Sequence, residues 1–429
     1  MKGTSETVNS EYQSPWKQPS ALPKPAKWSL PMAAVLFLLA CAAIPFSLID
    51  ETVAIFAWSL LTAGGFFFTR SAKRLTGFVI VASLLGAVLP SVLFPLNSRY
   101  YPAIGATVTA VCVGCCVGAY LQTVTRQFWI LPALSVVAAV AAYAVTGDWL
   151  MAVMALVILP AVMLLGVATH AGEGCTASVC YAVGGLLIGF CVTLALWLWR
   201  TYGALSSELL RGLIDQWKEG FVQAQIASRG ELIAMIDGQL ASPDASVERL
   251  EALKTNLMQV MSDQVIRQSM DALFQMLPAM MFLCCAIPAF LAQRLLNAAY
   301  ETSHMSAVVT PESEFFTMSL PSAVIYTLSL FVSMIPYEGI GFVSMVAGNL
   351  NLILLPGMLL IGLRYFKYQI AHSGRSSRRL VWGTVLLMLL LATSGMLQLG
   401  GLFGAYMRIT QAVQRAIKKK TDGNNGSTN

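Results

Sequence analysis

Apolar residues fill long unbroken runs along most of this chain. In the first half the runs lie at about 28–49, 52–69, 75–94, 101–121, 128–145, 149–169 and 177–199. They resume at about 272–296, 318–336, 340–363 and 379–406. Most approach the roughly 20 residues that carry a helix across a bilayer. None shows the period-2 alternation of a membrane β-strand. The pattern predicts an all-α fold, a polytopic transmembrane helix bundle of about eleven spans.

Between the two blocks lies Arg200–Asp271, the one long segment where charges recur regularly. Leu205, Leu209, Leu213 and Trp217 fall every fourth residue, and Leu232, Ile236 and Leu240 repeat that spacing. This is the signature of an amphipathic helix. Ser242-Pro243-Asp244 reads as a break and restart, with Ser242 as N-cap and Pro243 at the first helical position. Leu250, Leu253, Leu257, Val260 and Gln264 follow at heptad-like spacing. Two helices joined at Ser242 form a hairpin inserted between the seventh and eighth spans. Gly212, Gly220, Gly230 and Gly238 weaken its first arm, each by about 1 kcal/mol relative to Ala. Three readings stay open for it: a hairpin packing its own stripe, a helix lying on lipid, and a docking site for a protein partner.

The domain order is therefore a polar tail at 1–27, a membrane block at 28–199, the insertion at 200–271, a second block at 272–407 and a basic tail at 408–429. The first tail carries Pro15, Pro23 and Pro25 and is expected to be disordered, as is the last. No cleavable signal peptide is expected, because the tail precedes the first apolar run and no small-residue cleavage site follows it.

Composition sharpens this class. The 429 residues are 57% hydrophobic and 11% charged, against roughly 25% charged in a soluble domain. Lipid is the expected solvent for so much apolar surface. The net charge of +6 does not predict nucleic-acid binding, because the cations sit in short flanks between apolar runs.

Those flanks set the expected orientation. Lys2, Lys17, Lys24 and Lys27, then Arg70, Lys73 and Arg74, then Arg364, Lys367, Arg375, Arg378 and Arg379 alternate with cation-poor turns. The positive-inside rule places these three groups, and the N-terminus, in the cytoplasm of a bacterium. The insertion, with seven cations and ten anions, then faces outside. The C-terminal cations Arg408, Arg415 and Lys418–Lys420 disagree, since eleven spans carry them outside too. Two short helices broken at Ser394-Gly395 would return the tail to the cytoplasm, but each, at about 14 residues, is too short to cross alone, and the side of the tail stays open.

The chain carries no phosphate-cradling Gly-x-x-x-x-Gly-Lys-Ser/Thr loop. His170, His304 and His372 are far apart in sequence. His170, Glu173 and Cys175 admit a soft-metal reading, against which a polar turn at the membrane surface is preferred. Cys112, Cys115 and Cys116 share a helix face and read as small residues at a helix contact. The Gly-x-x-x-Gly pairs Gly114/Gly118, Gly185/Gly189 and Gly400/Gly404 read as close approaches within the bundle. No nucleophile, metal set or acid pair marks an enzyme, and no cofactor is expected.

The most informative polar residues lie in the tenth run. Asn349 and Asn351 interrupt apolar sequence, preceded by Glu338 and the Gly339-Ile340-Gly341 turn. An amide in hydrocarbon needs a partner. Either it bonds a neighbouring helix or it lines a ligand cavity, toward which Pro278, Pro288, Pro336 and Pro356 open carbonyls. Asn349, Asn351 and Glu338 are the candidate substrate-binding residues.

The second block also carries a family likeness. It reads Met276-Leu277-Pro278-Ala279, then Arg294-Leu295-Leu296-Asn297, then Glu314-Phe315-Phe316 leading into Ser319-Leu320-Pro321. Gly348-Asn349-Leu350 follows, with Gly362 thirteen residues beyond Asn349. Together with Ile44-Pro45 and the basic turn Arg70-Ser71-Ala72-Lys73-Arg74, this resembles the YybS-like family of bacterial polytopic membrane proteins. That family has no established activity and is grouped by similarity with the substrate-binding membrane components of vitamin transporters. The resemblance implies a transporter-like fold. Those components carry an Ala-x-x-x-Ala pair in the first helix, which docks an energising partner. Here the first run reads Ala33-Ala34-Val35-Leu36-Phe37-Leu38-Leu39-Ala40 and lacks it.

The sequence thus leads to an integral membrane protein of the bacterial cytoplasmic membrane, with the lipid bilayer as its expected partner. A small-solute transporter, or the substrate-binding component of one, is the first functional reading, with a small-molecule ligand. A non-transporting scaffold that binds a protein through 200–271 is the second.

Overall fold

A computed structural model describes residues 29–69, 100–203, 205–240, 247–303, 318–333, 341–372 and 400–414. The described residues are helical almost throughout. In chain order they form α1 (Ser29–Phe46), α2 (Glu51–Thr69), α3 (Tyr100–Thr125), α4 (Ile130–Thr146), α5 (Trp149–Ala155), α6 (Leu159–His170) and α7 (Cys175–Tyr202). Then come α8 (Ser207–Leu240), α9 (Val247–Val260), α10 (Asp263–Gln275), α11 (Leu277–Thr302), α12 (Leu320–Ser333) and α13 (Gly341–His372). A last helix, α14, occupies 400–414.

Seven stretches among the described residues are long and apolar enough to cross a membrane: Ser29–Phe46, Glu51–Thr69, Pro102–Thr125, Trp149–His170, Cys175–Tyr202, Leu277–Thr302 and Phe342–Gly362. The chain is a multi-pass membrane protein. Two further apolar helices are shorter, α4 with 17 residues and α12 with 14. They fall where spans are expected at 128–145 and 318–336. The run at 75–94, most of that at 379–406, the basic groups Arg70–Arg74 and Arg375–Arg379, and the Ser242 turn lie outside the described residues.

The chain divides into two compact units. The first comprises Met1–Trp197 and Phe282–Ser319, the second Leu198–Met281 and Leu320–Asn429, so both divisions fall inside helices, α7 and α11.

In the first unit α3 is the axial helix: 83% of its membrane window is buried, against 28–50% for the other candidate spans. Its sequence explains this. Small residues let neighbouring backbones approach, which matters in lipid, where apolar surface alone gives no drive for helices to associate. A β-carbon at Gly114 would stand 2.6 Å from Ile158 Cδ1 and 3.0 Å from Ala40 Cβ. One at Gly118 would stand 2.5 Å from Val162 Cγ1 and 2.9 Å from Phe37 Cε2. Cys112, Cys115 and Cys116 are buried in the same core, and the Cys112 thiol donates to Pro288 O at 3.6 Å.

The sixth expected span, at 149–169, is one run but not one helix. Asp148 caps α5, its Oδ1 accepting from Leu150 N at 2.9 Å. The helix then breaks at Leu156–Ile158 and restarts with Pro160 in its first turn. Proline supplies no N–H and clashes with the preceding turn, so the break falls just before it. Leu156 N bonds Val153 O at 2.9 Å and Leu159 N bonds Leu156 O at 3.0 Å, which keeps the broken turn partly satisfied. The Gly185/Gly189 pair of α7 lies against this break. Gly185 faces the backbone of Pro160 and Ala161, and Gly189 faces the Val157 carbonyl.

In the second unit, ion pairs fix the direction of the insertion. Lys218 pairs with Asp271 at 2.8 Å, Arg229 with Asp263 at 2.7 Å and Lys254 with Asp237 at 2.6 Å. Arg267 grips both carboxylate oxygens of Glu219, at 2.8 and 3.1 Å. Partner numbers fall as those on α8 rise, so α9 and α10 run back antiparallel to α8. Phe221 meets Phe274 edge-on at 5.9 Å. α8 stays continuous over 34 residues despite its four glycines, each of which faces open space. The heptad pattern expected to run from Leu250 to Gln264 is interrupted at Met261–Ser262. There Ser262 caps α10, accepting from Val265 N at 3.5 Å.

Elsewhere in this unit α13 packs on α12 and α14. Gly404 lies against the Met358 carbonyl, and a β-carbon at Gly362 would stand 3.1 Å from Gly400 O. The third glycine pair is therefore also a helix contact.

Candidate functional site

Asn349 and Asn351, two residues apart on α13, have different surroundings. Asn349 splints the joint between α10 and α11. Its Oδ1 accepts from Ala279 N at 3.0 Å, in the first turn of α11. Its Nδ2 donates to Gln275 O at 2.9 Å, the end of α10, and to Met345 O at 2.8 Å on its own helix. A helix end leaves carbonyls without intrahelical partners and a helix start leaves N–H groups so. One amide supplies both here, and it has used both of its N–H groups.

Asn351 is 5% exposed. Its amide lies beside the hydroxyl of Tyr326 on α12. Its Nδ2 has no hydrogen-bond partner among the described residues. Tyr326 is fully buried, and its hydroxyl lies against Gly401 of α14. Three helices thus enclose one unused amide donor. Glu338, the third expected site residue, lies outside the described residues, as do Gly339 and Ile340.

The first unit has a buried polar end that the apolar pattern did not mark. Tyr120 Oη donates to Ser303 Oγ at 2.9 Å and lies 3.1 Å from Ser29 Oγ. Tyr300 Oη donates to Thr123 Oγ1 at 2.8 Å, and Thr302 Oγ1 donates to Thr69 O at 2.7 Å. These bonds bring the start of α1 and the ends of α2, α3 and α11 to one face of the unit. Gln122 and Asn297 are buried near the same helix ends. The hint in sequence is the spacing: Gln122 continues the Gly114, Gly118 stripe at the same interval of four.

His170, Glu173 and Cys175 do not assemble a metal set, and no three His, Cys, Asp or Glu side chains do so among the described residues. Cys175 is buried at the start of α7, whereas Glu173 is exposed.

Outside the spans, two carboxyls among the described residues have shifted titration. Asp50 is held below the ordinary range by the N–H of Thr52, donating at 2.6 Å in the first turn of α2. Glu219 is held low by its hydrogen bonds from Arg267 and from Gln223. Comparison with family models, curated proteins and solved structures finds no match for this chain.

Proposed function

We propose that this protein binds and moves a small polar solute across a bacterial cytoplasmic membrane, alone or as the substrate-binding component of a transporter. The observation that carries this reading is the unpaired Nδ2 of Asn351, buried beside Tyr326 in an apolar span. An unmet donor in a dry interior costs about 1–3 kcal/mol. A ligand acceptor removes that cost when it binds. The broken Trp149–His170 span adds support, because interrupted helices with freed backbone groups are a recurring feature of solute transporters. In this reading the bundle has about eleven spans with its N-terminus in the cytoplasm, and the resemblance to the YybS-like family gives it a transporter-like fold. Asn349 serves as the tie that holds α13 to the α10–α11 joint beside the site.

The test is a thermal-shift screen of the purified protein against metabolites. A ligand that binds the folded state raises its melting temperature. The expected result is a saturable shift with a small polar compound, lost in Asn351→Leu. A shift that survives this substitution unchanged contradicts the assignment to Asn351.

A scaffold role for 200–271 as a helical hairpin is the second reading. It is favoured by α9, which buries no residue and exposes Leu253, Met258 and Val260.

A further inference from the structure

α3 and α6 run parallel in a register that repeats every four residues. Gly114 faces Ile158, Gly118 faces Val162 and Gln122 faces Gly166, where the amide lies directly against the glycine. The next step of this ladder is Arg126 and His170, close enough to interact electrostatically. The seam therefore starts between apolar groups, passes a buried amide, and ends at two basic side chains.

The amide is the unusual step. Gln122 is 1% exposed, and neither its Oε1 nor its Nε2 has a hydrogen-bond partner among the described residues. Buried polar atoms are normally paired, so one left bare on both atoms points to a partner that comes and goes. Four residues of helix rise about 6 Å, which puts the Gln122 turn just beneath Arg126. Arg126 is exposed, and its guanidinium has no ion pair or hydrogen bond among the described residues. Its backbone is left-handed, with φ of 55°, and its N–H bonds Gln122 O at 3.0 Å, which locks the end of α3 at this point. Phe128 packs edge-on to the His170 ring at 6.3 Å, and the neighbouring Trp129 is 84% exposed. Exposed tryptophan beside arginine at a helix end is typical of the lipid headgroup level.

We propose that this end of the α3–α6 seam is an oxyanion site, at which Arg126 and His170 hold a phosphate-type group and the Gln122 amide donates to it from the buried side. Arginine suits the planar recognition of phosphate oxygens. His170 lines the site beside it, and the carboxamide donates from below. The group belongs either to free phosphate or to the phosphodiester of a membrane lipid. The site lies in the first unit and does not rest on the reading of Asn351.

The experiment uses the full-length protein in an uncharged detergent. Its thermal unfolding is followed against inorganic phosphate, with chloride at equal ionic strength as the control. A second arm uses phosphatidylglycerol against phosphatidylcholine in mixed micelles. Both arms are repeated with Gln122→Leu and Arg126→Asn. Asparagine tolerates the left-handed backbone, and leucine removes an amide that has no partner to lose, so Gln122→Leu folds even if Arg126→Asn does not. The site predicts saturable stabilisation above the control in at least one arm. Losing a charge-assisted bond then raises the half-saturating concentration by about tenfold or more in each folded variant. A response to inorganic phosphate identifies a free oxyanion, and a response to phosphatidylglycerol alone identifies a lipid headgroup. Stabilisation no greater than the control in both arms overturns the proposal. So does stabilisation that Gln122→Leu leaves unchanged.

Discussion

The first unit and the α8–α10 insertion are both helical, yet they are held together by different forces. In the first unit, glycine, alanine and cysteine let backbones touch, and α3 is almost wholly enclosed. In the insertion, α8 buries only Leu213, Val222 and Ile236, and four ion pairs at the surface align it with α9 and α10. Surface pairs of that kind contribute little each. Shape complementarity governs where the helices are apolar, whereas charge order governs where they carry charges. This contrast implies that one chemical change, Gly→Ala, has opposite effects in the two regions.

The largest effect is expected at Gly185. A β-carbon there would stand 2.5 Å from Ala161 N and 2.7 Å from Pro160 C, and backbone cannot turn aside as a side chain can. Gly185→Ala should destabilise the protein by about 3 kcal/mol, the upper range for overpacking a core. Denaturant unfolding in detergent measures it. A loss well below 1 kcal/mol would mean that the α5–α6 break yields easily, and the shape argument would fail there.

The next effect separates the two asparagines. Asn349→Leu strands Ala279 N and Gln275 O and should cost about 1–3 kcal/mol. Asn351→Leu removes a donor that has no partner among the described residues, so it should cost less than Asn349→Leu. Melting temperatures of the two variants, compared side by side, give the order.

Gly220→Ala sharpens the contrast in the other direction. Nothing stands within 4 Å of the added β-carbon, and alanine restores helix propensity. A gain of up to about 1 kcal/mol is expected, read from the same unfolding curves. A loss would mean that α8 makes contacts at this turn.

The smallest effect is electrostatic. Glu219 titrates lower when folded, because Arg267 and Gln223 bond its charged form. Its contribution is therefore fully present above the ordinary glutamate range, about pH 4.3, and disappears as pH falls through the lower folded value. Glu219→Gln should lower the melting temperature slightly at neutral pH and not at all in strong acid. Added salt should shrink the neutral-pH difference.

The seven candidate spans can be read from the apolar runs by length and continuity. The glycine pairs also signal helix contacts, because few other roles fit that spacing inside an apolar helix. What escapes the pattern is where an apolar run changes its environment. The run expected from 272 divides at Met276. Phe274 belongs to α10 and packs on Phe221, and α11 begins only at Leu277. Composition does not reveal that joint, because both sides of it are apolar. Ser262 breaks the return arm by capping α10, while heptad spacing continues through it. In the site, the sequence marks both asparagines as polar intruders but does not separate their roles. That difference depends on which backbone ends lie opposite, and only the folded arrangement supplies them. Gln122 lies near a span end, where a polar residue is ordinary, and its isolation depends on Gly166 opposite.

We propose that the unused donor of Asn351 receives a ligand while Asn349 is structural. The direct test is the ligand-induced shift in melting temperature, measured on both leucine variants with a compound that stabilises the native protein. The account predicts a shift lost in Asn351→Leu and retained in Asn349→Leu, even though the latter melts lower without ligand. A shift retained in Asn351→Leu and lost in Asn349→Leu would contradict it.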